Sequence, residues 1–412
     1  MALMPTARQN AQAMKRKHDR VVVVGGGPVG SVAALTLALE GIPVTVLERE
    51  PAPIIDYRAS TFHPPTLDLL DACGATEALL AMGLKAPTMQ YRDRQRGRIA
   101  EFDFSLLGNE TRHPYRLQCE QFKLVDWTHR RLAAIPGAQL LFSHAVADVR
   151  PSEDEVVVRA DTPDGERVFK ADFVIAADGG RSAVRKALDI DFEGFTYPEH
   201  FLVAGTRFDF RARMPDICSV NYTADPEEWY LLLQIPDMWR IVLPVDAGRE
   251  PEDAVQEASI QSSLHNLLPR REPYEIVVRA IYRVSQRVAA TYRKGRVFLA
   301  GDAAHINNPL GGMGLNGGLH DALSLTERIA RVWHGESGDA LAGYEPQRRP
   351  AAVDAINAIT QRNKRLLEER DPEVRRRNLQ EWAAIAADRT RAYQHLLDAS
   401  MIAPLRRCGM IR

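Results

Sequence analysis

Three stretches of this sequence set glycines and charged residues at spacings suited to holding a phosphate or a planar ring. The first is Gly25-x-Gly27-x-x-Gly30. Gly25 permits a tight turn, Gly27 lets the backbone approach a pyrophosphate, and Gly30 lets a helix pack closely on a strand. Pro28 and Val29 lie between them, and Pro28 suits a first helical turn because its missing N–H has no intrahelical partner there. An exposed helix N-terminus stabilises each anionic contact by about 0.3–1 kcal/mol. Glu48, 18 residues beyond Gly30, can accept hydrogen bonds from ribose hydroxyls. By itself this motif suits NAD and FAD equally.

The second stretch runs Phe173-Val-Ile-Ala-Ala-Asp178-Gly179-Gly180-Arg181-Ser182, with Arg185 following. It reads as a strand entering an Asp-Gly turn and a short basic helix, which serves equally as an anion contact or as a solvated turn. The third extends from Gly301-Asp302 through His305, Pro309, Gly312 and Gly314 to Asn316-Gly317-Gly318. Within a helix each glycine costs about 1 kcal/mol against alanine. So many at a helix entrance imply that the backbone must come close to something, and an anionic or planar ligand over exposed N–H groups is the physical candidate. Asp302, directly after a buried strand, is placed to accept from ligand hydroxyls.

These motifs need rigid elements to hold them. Val21–Val24 reads as a strand buried on both faces, 31–40 as a helix stopped at Gly41, and 44–48 as a second strand, together a βαβ unit. Helices are expected over 65–73 and 122–134, and strands near 139–142, 156–160, 173–177 and 296–300. Between Phe201 and Val245 the pattern becomes that of an inserted, mainly antiparallel sheet, and beyond 339 it is largely helical. The expected organisation is a disordered leader over 1–19, a first nucleotide-binding part over 20–190 with a small substrate-domain insertion near 85–118, a substrate-binding sheet over 191–285, a second nucleotide-binding part over 286–345 and a helical region over 346–412.

Composition narrows the function. With 412 residues, 53 basic and 54 acidic side chains, the net charge of −1 gives no electrostatic reason for nucleic-acid binding or an anionic membrane. No run approaches 18 apolar residues, so no membrane span is expected. Cys73, Cys119, Cys218 and Cys408 lie far apart, which argues against a disulfide scaffold or a metal site and favours the cytoplasm.

In their order and content the three motifs resemble the single-component FAD-dependent aromatic hydroxylases, the flavoprotein monooxygenases of the p-hydroxybenzoate hydroxylase type, over about Val21 to Tyr344. The resemblance implies an α/β fold: a Rossmann-like FAD domain of glutathione reductase type, an inserted mainly antiparallel substrate sheet and a helical C-terminal region. It implies tightly bound FAD, transient NADH or NADPH, and O2, with an aromatic or heteroaromatic substrate of phenolic type, hydroxylated through a flavin C4a-hydroperoxide. Gly25, Gly27, Pro28, Val29, Gly30 and Glu48 would hold the ADP half, with Arg49 beside them. Arg58 would lie near the pyrophosphate and Gln121 would touch the cofactor. Asp178 with Arg181 or Arg185 would serve FAD and the reductant. Asp302 would bind the ribitol, and Pro309, Gly312, Gly314, Leu315 and Asn316 would border the isoalloxazine. Pro65 stands where the family usually has arginine, which weakens a phosphate role at that helix start.

A phenol of ordinary pKa costs about 4 kcal/mol to ionise at neutral pH, so a base or a hydrogen-bond chain is expected. Catalytic candidates are His200, Tyr222, Tyr230 and His305; Tyr197, Arg207, Arg211 and Arg213 are further polar groups of the inserted sheet. A flavin-dependent halogenase needs Trp-x-Trp-x-Ile-Pro and a catalytic lysine, which Trp239-Arg-Ile-Val-Leu-Pro244 does not supply. An NAD-dependent dehydrogenase would leave Gly301–Gly318 unexplained, and a non-enzymatic FAD module or another FAD oxidoreductase is the remaining alternative. The length suggests the branch without an extra thioredoxin-like domain, as a monomer or homodimer.

Overall fold

The computed structural model describes residues 16–412. The expected leader lies outside the described residues up to residue 15. From Lys17 onward the chain is anchored rather than loose, because the Asp172 carboxylate accepts the N–H groups of Lys17 at 2.7 Å and Arg20 at 3.2 Å.

The nucleotide-binding half is a six-stranded sheet in the spatial order Arg293–Lys294, Val297–Leu299, Phe173–Ala176, Val21–Val24, Val44–Leu47, Ala138–Leu141. All pairs are parallel except the edge strand Arg293–Lys294. Parallel strands need crossovers that cover both faces, and the apolar runs fit that demand. Every residue of Val21–Val24, Val44–Leu47 and Phe173–Ala176 is buried. Helices Pro28–Leu39, Gln121–Ala133 and Met313–Trp333 pack beside this sheet. Thr36 and Thr326 join two of them through their hydroxyls at 3.1 Å.

The second half is an eight-stranded sheet in the order His305–Ile306, Ile276–Ala289, Phe192–Thr206, Met238–Val245, Tyr230–Ile235, Val220–Ala224, Thr88–Asp93, Gly97–Asp103. It is antiparallel apart from the pairing of Val220–Ala224 with Thr88–Asp93, which sews an early segment onto the later insertion. Side chains alternate across the sheet. One face carries Tyr91, Phe201, Val203, Tyr222, Leu231 and Val242 in a single apolar cluster with Leu310. The other carries Leu202, Tyr230, Trp239 and Ile241 against Ile260 and Leu264 of the helix Glu257–Leu267. The face that meets Leu310 is termed the inner face.

The C-terminal helices Pro372–Ala387 and Arg389–Ala399 start at Asp371 and Asp388, each of which accepts two backbone N–H groups of the first turn. Their apolar sides cover the inner face: Trp382 stacks on Tyr91 with centroids 4.4 Å apart. Among the described residues no helix is long and apolar enough to cross a membrane.

Candidate functional site

The glycine motifs converge. A Cβ on Gly301, at φ +61°, would meet Val29 at 2.8 Å, and one on Gly318 would meet it at 2.6 Å. A Cβ on Gly25 would lie 2.4 Å from the Ala177 carbonyl, and one on Gly30 2.0 Å from the Gly25 carbonyl. These contacts explain why glycine is required there. Gly27 differs, since nothing lies within 4 Å of its added Cβ and its backbone faces open space at the start of the helix Pro28–Leu39.

Glu48 closes the neighbouring strand, and its carboxylate accepts the N–H of Gly26 at 2.6 Å and of Glu50 at 3.0 Å. His129 supports the same turn through Gly26 O at 2.8 Å. Arg49 is exposed and reaches Glu50. On the opposite lip Gln121 donates to Asp56 at 2.8 Å, and Asp56 pairs with Arg58 at 2.6 Å.

Asp302 marks the floor of the open space. Its side chain is exposed and has no hydrogen-bond partner among the described residues, although protein surrounds it. That enclosure pushes its carboxyl upward, opposed by the charge of Arg58. A carboxylate left unpartnered beside an open backbone cradle fits the polyhydroxylated linker of FAD.

Asp178 accepts the N–H of Val184 at 3.1 Å, while its other oxygen is buried without a partner. Arg185 is a correction to its expected availability for a phosphate. It is buried and donates to Ala303 O and Gly180 O, both at 2.8 Å, bracing the second motif on the third. Arg181 remains exposed. Pro309, Gly314 and Leu315 are half-buried around the start of the helix Met313–Trp333, whose N-cap Gly312 has φ +66°. The Asn316 side chain is consumed internally: it accepts from His63 N–H at 2.9 Å and donates to Thr61 O at 2.9 Å and Gly312 O at 2.7 Å.

The four catalytic candidates separate. Tyr222 lies on the inner face and its hydroxyl accepts from Arg116 at 2.9 Å. Tyr230, one strand over and out of phase, lies on the outer face, and His200 shares that face with its partner Val245. Period-two alternation therefore removes both from the site. His305 is enclosed and contacts Asp321 at 2.7 Å, so it supports the loop from behind.

Three further features were not legible as site components in the sequence. Tyr282, on the inner face beside Phe201, is half-buried near Arg58 and Arg240, and burial pushes its hydroxyl up to about 12. Arg240 donates to Arg58 O at 3.2 Å and to the Ser60 hydroxyl. Behind the third motif, Asp321 accepts from Gly301 N–H at 3.0 Å and from Arg348 Nε at 2.7 Å. Burial opposes its ionisation, but the charges of His305 and Arg348 hold its carboxyl below the ordinary range. An arginine or tyrosine in an alternating strand carries no sequence signal for which one faces a cavity.

A family model described as an FAD binding domain matches residues 19–358, which contain all three motifs. The para-nitrophenol 4-monooxygenase of Pseudomonas sp. is 34% identical over 386 residues, covering 92% of this chain and 95% of that protein. The chain belongs to the FAD-dependent aromatic hydroxylases. Its hydroxylase fold is also that of the crystal structure of p-nitrophenol 4-monooxygenase from Pseudomonas putida DLL-E4, with TM-score 0.89, 31% identity and coverage of 95% of this chain and 99% of that one. The 6-hydroxy-3-succinoylpyridine 3-monooxygenase of Pseudomonas putida is 34% identical over 362 residues, or 86% of this hydroxylase and 90% of that protein. The enzyme is thus an FAD-dependent monooxygenase of aromatic compounds.

Proposed function

We propose that this hydroxylase acts on a small phenol or hydroxypyridine held between the inner face of the large sheet and residues 307–312, with Tyr222 receiving the ring hydroxyl. The observation that carries this reading is the position of Tyr222. Of the four catalytic candidates named from sequence, it alone lies on the inner face, and its hydroxyl is held by Arg116. Tyr197 packs against the same cluster, but its hydroxyl is already met by Asn308. The substrates named for the two relatives, para-nitrophenol and 6-hydroxy-3-succinoylpyridine, each carry a ring hydroxyl, which supports the same class.

In this reading the N-terminus of Pro28–Leu39 and Glu48 hold the ADP half of FAD, Asp302 accepts from the ribitol, and Arg58 lies by the pyrophosphate. FAD held there, reduced by NADH or NADPH, would supply the activation of O2 from which the ring receives one oxygen atom. Apolar residues Phe201, Val203, Leu231, Val242 and Leu310 exclude water around the ring. The start of Met313–Trp333 would offer its free backbone N–H groups and partial positive charge to the flavin ring, favouring negative charge on it. NADH or NADPH approaches only transiently, with exposed Arg181 and Arg49 available to its phosphates.

The test is oxidation of NADH and NADPH by the FAD-loaded protein in the presence of nitrophenols, hydroxybenzoates and hydroxypyridines. The expected result is stimulation by at least one of them, with O2 consumed and a hydroxylated product formed. Stimulation by none would overturn the substrate class.

A further inference from the structure

Arg116 is a wholly enclosed cation with no anion beside it. It lies on the strand Arg116–Gln118 and is 2% exposed. Its guanidinium donates to Tyr222 Oη at 2.9 Å and to Ala399 O at 3.0 Å, while its buried Nε meets no acceptor. The rings of Phe104 and Tyr222 lie 5.6 and 5.9 Å away. Among the described residues no carboxylate comes within 4 Å of it.

The titratable groups around this point supply no negative charge. His63 lies on the side of the third motif, where its Nε2 meets Gly311 O at 2.9 Å. Burial and the charge of Arg116 hold its imidazole well below the ordinary range, which keeps it neutral. Tyr91, from the neighbouring strand, is pushed upward by burial and stays protonated. His395, from the helix Arg389–Ala399, is held by burial at about 4, with Arg362 and Arg116 adding to the effect. Of the other buried arginines, Arg348 has Asp321 and Arg92 has Asp216, while Arg185 and Arg240 are held by carbonyl and hydroxyl oxygens of the protein. Arg116 differs in that one of its few acceptors is a tyrosine hydroxyl with a proton left to donate.

A buried charge is strongly unfavourable unless it is paired, so this arrangement favours an anion arriving from outside. Tyr222 relays the demand. One lone pair of its oxygen is taken by Arg116, and no acceptor for its own O–H lies among the described residues. Its proton is therefore free to point at a ligand oxygen.

We propose that Arg116 is the positioning residue that makes this site take its phenol as a phenolate, by turning Tyr222 into a donor and supplying the positive charge that the ionised oxygen matches. The O–H bond of the phenol breaks on binding and its proton passes to solvent, so no base in the protein is consumed. The inference rests on the proposed phenol site, and its test separates the two.

The probe is 4-nitrophenol, whose ionised form is yellow. Difference spectra of the FAD-loaded protein give the ionisation midpoint of the bound dye between about pH 5 and about pH 9. In the wild type the midpoint should lie at least about one pH unit below that of the free dye. Arg116→Met should return it to the free value or above and weaken binding about tenfold at about pH 9, where the dye is ionised both free and bound, a one-unit shift being tenfold in affinity there. Arg116→Lys should keep the lowered midpoint, and it decides the matter if the Met variant does not fold. A wild-type midpoint equal to that of the free dye, or an unchanged midpoint in Arg116→Met, overturns the inference even if phenols are turned over. A wild-type protein that neither binds nor turns over any phenol overturns the proposed function, and this inference with it.

Discussion

The carboxylate of Asp321 accepts the backbone N–H of Gly301 at 3.0 Å, the residue immediately before Asp302. One helix side chain thereby fixes the turn that presents Asp302 to the cofactor space, while His305 contacts it and the Arg348 guanidinium pairs with it from behind. Breaking a buried ion pair from one side costs about 3–5 kcal/mol. Asp321→Asn should lower thermal stability by that order and release FAD at lower denaturant. Flavin fluorescence recorded beside far-UV ellipticity checks both.

Asp302 should behave in the opposite manner. It makes no internal hydrogen bond, and its surroundings disfavour its charge. Asp302→Ala should leave the unfolding midpoint of the FAD-free protein unchanged or slightly raised, while weakening FAD binding about tenfold, the loss of one charge-assisted contact. Equal FAD affinity by titration would show that the ribitol lies elsewhere.

Alternation in the large sheet gives a paired prediction. Tyr222→Phe should raise the substrate dissociation constant about tenfold, from loss of one hydrogen bond to a charged group. Tyr230→Phe, on the outer face, should leave it within about twofold. Steady-state and equilibrium binding with whichever phenol stimulates NAD(P)H oxidation tests the pair.

Acid should destabilise this fold through buried neutral histidines. Burial lowers the pKa of His63 and His129, holds His320 at about 3 and His395 at about 4. Below the ordinary value of about 6.5 the unfolded chain binds protons that the folded chain refuses, so stability is complete above that pH and falls beneath it. Each such group removes up to about 1.4 kcal/mol per pH unit until its folded value is reached. Denaturant midpoints between about pH 7 and about pH 5 should fall steeply, and His395→Gln should flatten the decline.

The nucleotide half was readable because its demands are local. A strand buried on both faces writes itself as Val21–Val24, and a close backbone approach writes itself as Gly25, Gly30, Gly301 and Gly318. The substrate half was readable only as a sheet. Whether Tyr222 or Tyr230 points inward depends on strand phase and on which layer packs behind, and neither is encoded within a strand of six residues. Arg185 looked like a phosphate ligand because its motif is basic, yet tertiary packing spends it on two carbonyls. The strand Thr88–Asp93 sits opposite Val220–Ala224 only through long-range pairing, which no local pattern announces.

That same pairing has a cost during synthesis. Gln90 must await Asn221, about 130 residues further along the chain. At about 5–20 residues per second the hairpin 88–103 stays without its neighbour on the ribosome for about 6–26 s. With Met89, Tyr91 and Phe102 uncovered for that interval, newly made chains present a sticky edge, and their yield should depend on chaperone supply and growth temperature more than the stability of the finished enzyme would suggest.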